Sequence, residues 1–153
     1  MIEKLLEIKK IRADRADSAV QQQEYRVNNA RASLRKAEQS VIDYRLWREE
    51  EEERRFAKAK QKTVVLKELE VLRQEIALLR EREADLKQRA AEAKKALEQE
   101  SQKLKERQQE ALAAHKTKEK FIQLHEQEIA EQARQVQYQE ELEQEEFRSV
   151  VVS

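Results

Sequence analysis

The chain has 153 residues, of which 32 are Lys or Arg and 32 are Asp or Glu, and it contains no Gly, Pro or Cys. Charged residues at 42% beside an apolar share of 39% describe long helices with a narrow shared stripe, not a compact core. The missing residue types exclude glycine-rich phosphate loops, disulfide scaffolds, zinc–thiolate sites and thiol catalysis.

The first predicted element is a helix over about 2–56. Leu6, Ala13, Val20, Val27, Leu34 and Val41 recur every seven residues. Ile2, Ala16, Ala30, Ala37 and Tyr44 form the second row, and the two rows are the a and d positions of a heptad. Lys9 and Gln23 are polar members of the d row; such residues weaken a seam and help to fix its register. The opening, Met1-Ile2-Glu3-Lys4-Leu5-Leu6, is charged and periodic, unlike a signal peptide.

From 48 to 64 the stripe fails. Arg48, Glu51, Arg55, Lys58 and Lys62 occupy every a and d slot. Either the helix is solvated all round there or the chain turns. Glu49 to Glu53 is an acidic block, followed by Arg54, Arg55, Lys58, Lys60 and Lys62. Glu50–Arg54 and Glu51–Arg55 have the favoured i, i+4 orientation.

A second seam follows through Val65, Leu69, Leu72, Ile76, Leu79, Leu86, Ala90, Ala93, Leu97, Leu104, Ala111, Ala114 and Phe121. Glu83, Glu100, Arg107 and Lys118 are its polar members. After Phe121 the pattern slips by one position: Ile122, Ile129 and Val136 keep the seven-residue step, while the old rows read His125, Glu128 and Gln132. Residues 122–153 carry a net charge of −6. A final 149–153 is expected to fray.

Two architectures compete. The heptad phase survives the gap, since Val41 and Leu69 are 28 residues apart, and this favours one continuous rod. A pairing argument favours a turn. If the chain reverses near residue 60, residue i faces about 120 − i, and Ile2 faces Lys118, where the second seam loses phase. A partner that has run out explains the coincidence; a parallel dimer of rods does not. The expected fold is therefore all-α: a long two-helix antiparallel coiled-coil hairpin with a protruding C-terminal helix. It forms a single domain over 1–153, with a turn at about 57–63 and a second helix at about 64–148.

Chemistry is sparse. His115 and His125 are the only histidines, and ten residues of helix rotate them onto different faces, so no metal site is expected. No cofactor site is expected either. A general acid needs burial, and a two-helix rod offers little, so no catalysis is expected. The charge is too mixed for a one-sided nucleic-acid surface. Apolar runs such as Val64-Val65-Leu66 and Val150-Val151-Val152 are three residues long against the roughly 20 that a membrane span needs, so no membrane insertion is expected and the compartment is read as cytoplasmic. The aromatics say more. Tyr44, Trp47 and Phe56 cluster near the proposed turn, with Trp47 between Arg45 and Arg48; Trp and Arg are frequent binding anchors. The stripe Ile122, Ile129 and Val136 would be exposed on an unpaired helix and would mark a partner surface.

Two stretches carry a resemblance. Leu5-Leu6-Glu7-Ile8-Lys9-Lys10-Ile11-Arg12-Ala13-Asp14-Arg15-Ala16, and Asp43-Tyr44-Arg45-Leu46-Trp47-Arg48 followed by the Glu run, Arg54-Arg55 and Phe56, resemble the YscO family of type III secretion proteins. That family is similar to the flagellar FliJ proteins and to the coiled-coil part of the γ subunit of rotary ATP synthases. The resemblance implies a two-helix hairpin acting as the central stalk of the secretion ATPase. The stalk would sit in the pore of the hexamer, reach the export gate at the cytoplasmic face of the apparatus, and in some members engage secretion chaperones. It carries Tyr44, Trp47, Arg48 and Phe56 over as a contact region.

Overall fold

The computed structural model describes residues 1–61 and 65–152. Two helices account for nearly all of them, α1 from Ile2 to Lys60 and α2 from Leu66 to Val152. Among the described residues there is no strand and no positive-φ residue. Residue types of high helix propensity fill both spans, and no Gly or Pro interrupts them.

The helix ends differ from expectation. Residues 57–60 of the expected turn are helical, because Ala57, Lys58, Ala59 and Lys60 favour helix and the two lysines stabilise its C-terminal end. Of the rest of that turn, residues 62 and 63 lie outside the described residues, as does residue 64, the expected start of the second helix. Helix α2 begins with Glu68 in its first turn, and the Glu68 N–H donates to Val65 O at 2.9 Å. At the far end the helix continues through Val152, so the expected fraying over 149–152 is replaced by helix; no breaker stands in its way.

Contacts divide the chain into two compact units, Met1–Gln21 with Glu106–Ser153, and Gln22–Lys105. In the second, α1 and α2 run antiparallel, from Gln23 beside Glu100 to Arg55 beside Glu75. In the first they also run antiparallel, from Lys9 over Phe121 to Asp17 beside His115. The fold is thus an all-α antiparallel two-helix hairpin. Intrachain pairing of this kind replaces the alternative of a parallel dimer of straight rods.

The numbers of facing residues add to between 123 and 132, not 120. Pairing in the first unit accordingly reaches beyond Lys118, to the half-buried Glu128, after which every residue to Val151 is exposed. The a and d rows of α1 form the seam, with Leu6, Ala13, Gln23 and Val27 buried and the other members half-buried. Gln23 is the most buried large side chain of α1, 1% exposed. Its amide donates to Glu100 O at 2.9 Å and also bonds the Glu100 carboxylate, so the polar d position is satisfied. On α2 the seam begins at Leu72; Val65 and Leu69 are exposed.

Candidate functional site

The region from Arg48 to Arg55 is neither solvated all round nor a turn. Its charges continue the seam as ion pairs. Arg48 reaches Glu83 across the hairpin at 2.6 Å and Glu52 one turn on at 3.0 Å. Glu52 accepts from Arg80 at 3.2 Å, and Glu83 accepts from Arg45 at 3.1 Å. Arg55 bonds Glu51 and Glu75, both at 3.0 Å. The expected Glu51–Arg55 pair is present; Arg54 meets Glu51 at 3.4 Å rather than Glu50.

This network shifts its own titrations. Burial works to raise the Glu52 carboxyl, but hydrogen bonds from Arg80 and Arg48 outweigh it and hold the group below the usual carboxylate range. Glu83 behaves the same way: burial is opposed and overcome by the Arg45 hydrogen bond and the Arg48 charge. The hydrogen bond to Glu52 raises Arg48 further above its ordinary value.

The four candidate residues near the α1–α2 junction divide into two pairs. Tyr44 and Arg48 face inward. The Tyr44 hydroxyl donates to Leu79 O at 2.7 Å, and burial raises its pKa. Trp47 and Phe56 face out, 45% and 47% exposed. The Trp47 ring lies 5.5 Å from that of Tyr44, tilted by 42°, so one seam residue steadies one accessible residue. Phe56 lines a cleft of about 350 Å³ with Leu69, Ile76 and Arg80. A second cleft of about 740 Å³ lies between Arg55, Lys58, Lys67 and Glu75, over Val71 and Leu72. Sequence reasoning placed the aromatics but missed these clefts, whose only signal is the loss of apolar a and d residues after Tyr44.

On α2 the stripe separates. Ile122 is half-buried, while Ile129 and Val136 are 53% and 55% exposed. Burial follows the old rows through His125 and Glu128 and then stops; every residue from Ile129 to Val151 is exposed. His115 contacts both oxygens of Asp17, at 2.8 and 2.9 Å, and His125 is half-buried. Among the described residues no group of three or more His, Asp or Glu is placed to hold a metal ion, and no helix is long and apolar enough to cross a membrane.

Comparison with known proteins places this hairpin. The family model for type III secretion protein YscO matches residues 2–150. The chain is 37% identical over 70 residues to the Yop proteins translocation protein O of Yersinia pseudotuberculosis. That alignment covers 46% of this chain and 46% of the relative, so it spans a little under half the length of each. The 2.8 Å crystal structure of type III secretion protein YscO from Vibrio parahaemolyticus superposes with a TM-score of 0.91 at 78% identity, over 96% of this chain and 92% of that one. A fold shared at 78% identity over 96% of the chain, with a family match of similar extent, establishes that the chain belongs to the YscO family of type III secretion proteins.

Proposed function

We propose that this chain is a non-catalytic stalk that binds the secretion ATPase hexamer and the export gate at the cytoplasmic face of the secretion apparatus. The observation that carries the reading is that shielding by α1 ends at Glu128, and α2 is exposed from Ile129 to Val151. A paired shaft with a single helix beyond it suits insertion in a ring, and charged outer faces suit modest, salt-screened contacts with a lining. Trp47 and Phe56 supply accessible aromatic anchors near the α1–α2 junction, beside the inward-facing Arg48 and Tyr44, whose ring packs against Trp47.

The test is complex formation with the purified ATPase and with the soluble part of the export-gate protein. The stalk reading predicts a complex with each and weaker binding to one of them for Trp47→Ser with Phe56→Ser. A folded chain that binds neither protein contradicts it.

A second reading has its own observation. Ile129 and Val136 are more than half exposed in line with Ile122, as an escort protein capturing secretion chaperones would need. Replacing Ile122, Ile129 and Val136 with Ser abolishes capture under this reading. Loss of ATPase binding with capture kept would sink it.

A further inference from the structure

The junction of α1 and α2 holds residues that the fold does not account for. Between Glu53 and Glu68 the sequence has no Asp or Glu. In this stretch Lys58, Lys60 and Lys67 are exposed, and among the described residues none of the three makes an ion pair. The arginines of the same stretch differ: Arg54 and Arg55 both bond Glu51, and Arg55 also bonds Glu75. Lys58 and Lys60 suit the C-terminal end of α1, but Lys67 stands in the first turn of α2, where the macrodipole disfavours a cation. Glu68 in that turn suits it.

Two apolar residues stand uncovered beside these cations. Val65 is 63% exposed and Leu66 84%, more than any other leucine described. Packing against α1 explains neither. Lys58 of α1 and Lys67 of α2 line one cleft, over Val71 and Leu72, so cations of both helices gather at this end of the hairpin.

We propose that this end docks on an anionic lipid surface. Val65 and Leu66 enter the headgroup layer. Lys58, Lys60 and Lys67 lie among the headgroup phosphates, with their methylene stems along the apolar boundary. Lysines set around exposed aliphatic side chains are the combination that such a surface selects. The residue types favour lipid over an acidic protein segment. Protein interfaces are poor in lysine and rich in arginine and aromatics, whereas the unpaired cations here are all lysine. The contact needs no spanning helix, and none is present among the described residues. Three lysines and two aliphatic side chains give a reversible contact, not an anchor. The stalk reading uses none of these five residues, so the two stand independently.

Cosedimentation of the full chain with vesicles tests this, comparing phosphatidylcholine alone with phosphatidylcholine mixed with phosphatidylglycerol. The chain should partition onto the mixed vesicles and not onto the neutral ones, and added salt should release it. Each lysine near such a surface is worth about fivefold, so Lys60→Ser with Lys67→Ser should weaken partitioning about tenfold or more. Val65→Ser with Leu66→Ser should weaken it too, with the charge unchanged. Lys94→Ser with Lys95→Ser removes the same charge from exposed positions elsewhere on α2 and should leave partitioning unchanged. All these side chains are exposed, so circular dichroism of each variant should match the parent. No partitioning onto the mixed vesicles would overturn the proposal and leave these residues to an acidic protein segment. Equal losses for the two lysine pairs would overturn it as well, since charge alone and not this end of the hairpin would then be responsible.

Discussion

Arg48 and Glu83 meet across the hairpin at 2.6 Å, with their side chains only 13% and 9% exposed. A coiled-coil a position filled by arginine is here closed by a glutamate in the same role on the facing helix. Removing one partner strands the other in a nearly dry seam. Arg48→Leu or Glu83→Leu alone should cost about 2–3 kcal/mol, and the double variant should return to within about 1 kcal/mol of the parent. Urea unfolding followed by circular dichroism gives the three values. Two single losses that simply add in the double variant would show that the pair is not coupled.

The same cluster sets an acid dependence. Glu52 and Glu83 have folded values held below the ordinary 4.5. Their contribution to stability is therefore present above that value and is lost as the pH falls through the depressed ones. Urea midpoints for the parent should drop as the pH is lowered below 4.5, and Glu52→Gln with Glu83→Gln should flatten that drop while lowering stability at pH 7.

Ala13 sets a packing limit. It is 0% exposed, so the facing helix lies directly against it. Leucine is the usual seam residue, yet Ala13→Leu should destabilise by about 1–3 kcal/mol because the added methylenes have no space. A stability gain in thermal unfolding would mean that the helices separate freely at this level.

The two pairs near the α1–α2 junction should behave differently. Tyr44→Phe removes the bond to Leu79 O and should cost about 1 kcal/mol. Trp47→Ser and Phe56→Ser should change stability less than Arg48→Leu does, and should act on partner binding instead, by about tenfold or more. Thermal unfolding and a binding titration on the same preparations separate the two effects.

The rows from Leu6 to Tyr44 and from Leu72 to Phe121 were legible because an apolar heptad announces itself in one chain. The ionic continuation was not. Arg48, Glu52 and Arg55 look like a solvated face until the register brings Glu83, Arg80 and Glu75 opposite them. Register was the weak point of the sequence reading, because the reversal carries no Gly or Asn to mark it, and an offset of several residues moved the last paired position from Lys118 to Glu128. Of the candidate contacts, exposure distinguishes Trp47, Phe56, Ile129 and Val136 from Tyr44, Arg48 and Ile122. Periodicity already separates Tyr44 and Arg48, in the a and d slots, from Trp47 and Phe56 outside them, but it could not separate Ile122 from Ile129 and Val136, which share one heptad position.

The most direct test of the stalk is a titration of this chain into the type III secretion ATPase of its own organism, following ATP hydrolysis and the stoichiometry of the complex. The account predicts stimulated turnover that saturates near one chain per hexamer. A folded hairpin that neither stimulates hydrolysis nor enters the complex would contradict it.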